Sequence, residues 1–147
     1  MLTRVGRSKL GLPPAEESYM RRFLTRYTEF FYAAMRVVLA FLYLSHGLQK
    51  LFGAFGGRVV PLASILGVAG VLETVLGALI AVGLLTTWAA LFASGEMAAA
   101  YFIAHARRGG LPIANGGELA VVLCFAFLYI ATHGGGRFSL DAARRKQ

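Results

Sequence analysis

Four long apolar runs fill almost everything after residue 30, separated only by short punctuation of Gly, Pro or Arg. Crossing a hydrocarbon core takes ~20 predominantly apolar residues, and a segment within it must satisfy its own backbone hydrogen bonds. The runs therefore read as membrane helices. Composition agrees: 57% of the 147 residues are apolar and 15% charged, against ~25% charged in a usual soluble domain. Such hydrophobicity excludes disorder, and the 18 glycines follow no Gly-X-Y period. Cys124, the single cysteine, excludes a disulfide framework and any cysteine-based zinc site; inside an apolar run it reads as a small packing residue. The chain is thus expected to be all-α, a four-transmembrane-helix antiparallel bundle over residues 31–136. A basic tail with an interfacial amphipathic helix (1–30) precedes it, and a basic tail (137–147) follows.

The net charge of +8 acquires meaning from its placement. Arg4, Arg7, Lys9, Arg21, Arg22 and Arg26 precede the first run, and Arg137, Arg144, Arg145 and Lys146 follow the last, which makes ten of the fifteen basic residues. Lys50, Arg58, Arg107 and Arg108 fall on the opposite side of a four-span topology. The positive-inside rule then puts both termini in the cytoplasm. The basic ends suit anionic headgroups. No basic and aromatic stripe forms a separate soluble module, so nucleic acid is not an expected partner.

Residues 1–12 are basic and without apolar periodicity, and the first apolar run begins too late for a signal peptide. A helix is expected from about Pro14, with Met20, Phe23, Leu24, Tyr27, Phe30 and Phe31 spaced as one apolar face. The spans are expected at about 33–52, 62–85, 88–106 and 118–133, with Thr86 and Thr87 as a turn. Ser139 and Asp141 are cap candidates for a short last helix.

An ionisable group inside a span costs ~2.5 to 3.5 kcal/mol at mid-membrane, so the bundle has to supply it with partners or water. On the first span Arg36, Tyr43 and Lys50 are seven apart and nearly in register, with His46 one turn below Lys50. Gly70, Thr74, Gly77 and Ala81 form a small-residue seam on the second span. Glu73 borders it near the bilayer centre and is expected inside the bundle, with His46 or Lys50 as a partner by depth. Glu96 and His105 are nine apart on the third span, opposite faces unless the helix bends; His105 is expected to face the interface or the following loop. Rise per residue places His46, Lys50, His105, Asn115 and Glu118 in the outer third, and Arg36, Glu96 and His133 in the inner half. The bland account of these groups is two structural ion pairs, Lys50 with Glu118 and Arg36 with Glu96. Haem is not expected, because no histidine ligand pair shares a helix and His105 is read as facing away. No metal site, phosphate-binding loop or hydrolytic triad can be assembled. Three glutamates could carry protons or a cation, but no broken helix marks a transport site.

The order of motifs from Arg36 to Asp141 resembles the DoxX family of small bacterial four-helix membrane proteins. Arg36 is followed by HGLQKLFG (His46 to Gly53), GVLETVLG (Gly70 to Gly77), Met97 with its following alanines and His105, NGGE (Asn115 to Glu118), and Ser139-Leu140-Asp141. Residues 1–30 fall outside the resemblance. It implies a link to quinone-dependent membrane oxidoreductases, hence a redox-associated accessory subunit in which His46, Lys50, Glu73 and Glu118 line a polar pocket for a quinone-like or other small ligand. A quinone carbonyl needs a hydrogen-bond donor, and its reduction needs proton delivery. Electrons would come from a partner subunit, so the resemblance leaves enzymatic activity open. The alternative it leaves is a structural or assembly subunit that packs against other membrane proteins through the Gly70 to Ala81 seam.

Overall fold

The computed structural model describes residues 15–146, and within them the chain is helical with no strand. The expected helix start at Pro14 and the tail 1–12 lie outside the described residues. Helix α1 (Ala15–Arg26) is separated by Tyr27 from α2 (Thr28–Phe52). The amphipathic stretch is therefore not one continuous helix into the first span. Tyr27 leaves helical geometry at φ −106°, ψ 8°. Its apolar residues Tyr19, Met20, Phe23 and Leu24 are exposed, as are Phe30 and Phe31 at the start of α2.

A 3-10 turn (Ala54–Gly56) leads to α3 (Ile65–Val82). The helix starts three residues later than expected because Ser64 caps it, its hydroxyl accepting from Gly67 N–H at 3.0 Å. It ends on Gly83 in the left-handed region (φ 72°), where a Cβ would meet Ser139 Cα at 2.9 Å. Helix α4 (Thr86–Ala100) follows at once, so Thr86 and Thr87 form its first turn instead of a linker. Their N–H donors have a partner that local sequence does not show: Asp141 accepts from Leu85 N–H (2.8 Å), Thr86 N–H (2.9 Å) and the Thr86 hydroxyl (2.7 Å). Helix α4 continues into a π-helical turn, Tyr101–His105, and a 3-10 turn, Ala106–Arg108. The short α5 (Pro112–Asn115), α6 (Glu118–His133) and α7 (Leu140–Arg144) complete the chain.

The helices form two tightly packed pairs, α2 with α3 and α4 with α6, joined mainly through α3 and α4. Tyr43, Ile80, Ala90, Ala93, Phe127 and Ile130 are fully buried between them. The small-residue seam of α3 is filled by α2 of the same chain. A Cβ on Gly47 would lie 2.7 Å from Gly70 O, and one on Gly77 would lie 3.0 Å from Leu44 Cβ. Backbones approach this closely only where side chains are missing.

The outward faces are apolar: Phe41, Val75, Phe92, Val122 and Phe125 are all exposed. Water would penalise so much contiguous apolar surface, whereas acyl chains would not. By length and composition two helices, α2 and α3, are long and apolar enough to cross a membrane, and α6 is a shorter apolar helix.

One end of the bundle is tied by its last segment. Arg36, 2% exposed, donates through Nη1 to the carbonyls of Ile80 and Ala81 and through Nη2 to that of Phe138. Its positive charge thus sits at the carbonyl end of α3, and the Asp141 carboxylate sits at the N–H end of α4. Asp141 N–H also donates to Gly83 O at 2.9 Å. Arg137 N–H reaches Glu29 Oε2 at 2.9 Å, and Ser139 caps α7. Burial alone would push the Asp141 carboxyl up, but the hydrogen bonds from Thr86 and Leu85 and the nearby Arg145 outweigh it. The group is held below the usual carboxylate range.

Candidate functional site

At the other end the two helix pairs leave a cavity of about 500 Å³. Helix α2 contributes His46 and Lys50, α3 contributes Glu73, α4 contributes Glu96, and the π turn contributes His105. The remaining wall is apolar, with Leu66, Leu72, Ile103 and Leu123 among its residues. Leu66 and Ile103 are 54% and 58% exposed on the outer surface, so the opening lies among residues that would face acyl chains.

Each polar side chain is placed by its helix. The Gly47–Gly70 approach sets α2 and α3 backbone to backbone and brings Lys50 against α3, where a Cβ on Gly70 would meet Lys50 Cβ at 3.0 Å, with Glu73 one turn along α3 from Gly70. They form an ion pair, Lys50 Nζ donating to Glu73 Oε1. Glu73 is 2% exposed, its Oε2 has no hydrogen-bond partner among the described residues, and Lys50 remains partly open to the cavity. Glu96 Oε2 accepts from the Tyr43 hydroxyl at 3.2 Å, and Tyr43 packs edge-on against Phe127 at 5.0 Å.

His105 reaches the cavity because α4 widens. In a regular α-helix it would point away from Glu96, but the π turn adds a residue to the local ring and lets Ile103, Ala104 and His105 all line the same space. His105 Nδ1 lies 3.2 Å from Asn115 O. Asn115 is fixed in turn: its Nδ2 donates to Gly109 O (2.8 Å) and Tyr101 Oη (3.3 Å), and its Oδ1 accepts from Gly117 N–H (2.8 Å).

Of the four residues expected to line a ligand pocket, the structure brings together His46, Lys50 and Glu73. Glu118 is not among them. It is exposed on the first turn of α6, where Leu119, Ala120 and Leu123 take the positions facing the cavity. Neither expected ion pair forms: Lys50 pairs with Glu73 instead of Glu118, and Arg36 donates through both Nη atoms to backbone carbonyls while Glu96 bonds Tyr43. Sequence reasoning missed His105 and Glu96 as cavity residues. For His105 the only available signal was depth, which matches that of His46 and Lys50.

Comparison with known proteins places these residues in a family context. The DoxX family model matches residues 31–106, a stretch that contains all five polar residues of the cavity and leaves out α1. A Haemophilus influenzae protein, described only as an uncharacterized protein, is 42% identical over 125 residues, which is 80% of this chain and 93% of that one. No solved structure matches the chain.

Proposed function

The chain belongs to the DoxX family, and from that premise we propose that it is a membrane protein whose cavity receives a small lipid-soluble molecule with a polar ring head, of quinone type. The observation that carries this reading is the convergence of Lys50, Glu73, Glu96, His46 and His105 behind apolar walls that open toward the acyl region. A concave, largely apolar site with a few converging polar groups is the general form of a small-molecule pocket. A ligand already dissolved in the bilayer would enter sideways, without crossing water.

In this reading α2, α3, α4 with its π turn, and α6 cross the inner membrane as an antiparallel four-helix bundle. Both termini are cytoplasmic, beside the ten basic residues and among anionic headgroups. The sixteen residues of α6 span ~24 Å at ~1.5 Å each, and the polar loops at its ends reach the headgroups. Within the cavity Lys50, oriented by Glu73, and His46 supply hydrogen-bond donors to a ring oxygen. Glu96 and His105 supply sites that take or give a proton. The protein then serves as an accessory subunit, with electrons supplied by a partner. A scaffold role through the Gly70 to Ala81 seam is less favoured, because α2 already occupies that seam.

The test is extraction of the protein purified in mild detergent, with mass spectrometry of its lipid-soluble small molecules. The expected result is a quinone-type compound near one per chain that is lost in the His46→Ala variant. Its absence from a monodisperse wild-type preparation contradicts the proposal.

A further inference from the structure

The cavity has a polar end and a shut end. Toward the loops it extends to Gly116, between α5 and α6, and its ionisable groups His46, Lys50 and His105 are all partly exposed. Lys50 stands in the last turn of α2, and His105 closes the π turn just before the exposed Arg107 and Arg108. Toward the Arg36 end nothing polar continues the path. Ala40 of α2, Ile80 of α3, Ala90 and Ala93 of α4, and Phe127 and Ile130 of α6 are all 0% exposed. Tyr43 adjoins this layer, and its hydroxyl is directed to Glu96 on the cavity side. The Ser94 hydroxyl is spent on Cys124 O at 2.8 Å. From Arg36 to Tyr43 the layer is ~10 Å thick at ~1.5 Å per residue. Close-packed apolar side chains hold no water there, because a buried water needs two or more polar partners.

Resting on the membrane-crossing bundle proposed above, we infer that the cavity carboxylates Glu73 and Glu96 exchange protons with one side of the membrane only, that of the 53–64 and 106–117 loops. The other ionisable groups around them are Tyr43, His46 and Lys50 from α2 and His105 from the π turn, while α6 faces them with Leu119, Ala120 and Leu123. A proton exchanged with a bound head moves through Glu96, His46 or His105 to water at those loops. The apolar layer bars the Arg36 side. With both termini cytoplasmic, the site is sealed against cytoplasmic protons.

The experiment reconstitutes the full chain in sealed vesicles of zwitterionic lipid, oriented through a tag after Gln147, with pH set separately on the two sides. A lipophilic carbodiimide, which attacks protonated carboxyls from within the bilayer, is added, and adducts on Glu73 and Glu96 are counted by mass spectrometry. The protonated fraction of an ionised carboxyl climbs up to ~10-fold per pH unit. Lowering the cavity side from about pH 9 to about pH 6 should therefore raise the rate at least ~3-fold, whereas the same step on the Arg36 side should leave it within about twofold. A rate that follows the Arg36 side, or both sides alike, overturns the inference, and so does the absence of adducts at every pH. Single cysteines at Phe55 and Arg144 that react with an impermeant reagent from the same side of these vesicles overturn the membrane-crossing bundle as well.

Discussion

Replacing Gly47 by alanine tests the contact that sets the site. In an ordinary helix interior the change would stabilise by up to ~1 kcal/mol, because alanine loses less backbone freedom. Here the new Cβ would lie 2.7 Å from both Gly70 O and Thr74 N. Those atoms are backbone and have no rotamer to yield, so α2 and α3 must part. Overpacking costs ~1 to 3 kcal/mol, and a backbone obstruction belongs at the upper end, which leaves a net loss of about 1 to 2 kcal/mol after the propensity gain. Gly95 on α4 is the control: it is helical and exposed, and a Cβ there meets nothing within 4 Å. Its alanine variant should be unchanged or stabilised by up to ~1 kcal/mol. Equilibrium unfolding in mixed detergent micelles reads both. Since Lys50 packs against Gly70 and Glu73 lies one turn along α3 from it, the Gly47 variant should also lose bound ligand. If Gly47→Ala is as stable as Gly95→Ala, the close helix approach, and the placement of the ion pair derived from it, are wrong.

Lys50→Met leaves the buried Glu73 without its cation and should cost about 3 to 5 kcal/mol in the same unfolding assay, whereas Lys50→Met with Glu73→Leu should recover most of that loss yet retain no ligand. Asp141→Ala removes the cap of α4 and should cost ~1 to 2 kcal/mol. Because the folded state holds the Asp141 carboxyl low, its contribution is fully present above the ordinary carboxylate range and fades as pH falls through the lower folded value; stability curves of wild type and variant should converge in acid, and a gap that persists there refutes the assignment. Cysteines placed singly in residues 53–61 should react with an impermeant reagent on intact cells and one at Arg144 should not; the reverse pattern inverts the topology.

The helices were legible because apolar runs and their punctuation are local signals. The interior position of Glu73 was legible too, since a carboxylate on an apolar span has nowhere else to go. Partner choice was less so. Ser139 and Asp141 both read as caps for the last helix, yet only Ser139 caps α7; Asp141 reaches back 55 residues to the first turn of α4. Arg36 seemed to call for a carboxylate because charge is visible in a sequence, whereas free carbonyls at the end of a neighbouring helix are not. Likewise the π turn carries no composition signal, and without it a regular helix correctly predicts His105 facing away from Glu96. Glu118 was placed by depth alone, and depth leaves the rotation of a helix undetermined.

Photo-labelling tests the central claim most directly. A lipophilic quinone carrying a photoreactive group on its ring is irradiated with the full chain in a bilayer, and the modified residues are mapped by mass spectrometry. The account predicts labelling concentrated on cavity residues of α3 and the end of α4, such as Leu72, Ile103 and Ala104, with competition by the unlabelled quinone. Labelling spread evenly over the outward residues Phe41, Val75, Phe92 and Phe125, and unaffected by competitor, would contradict it.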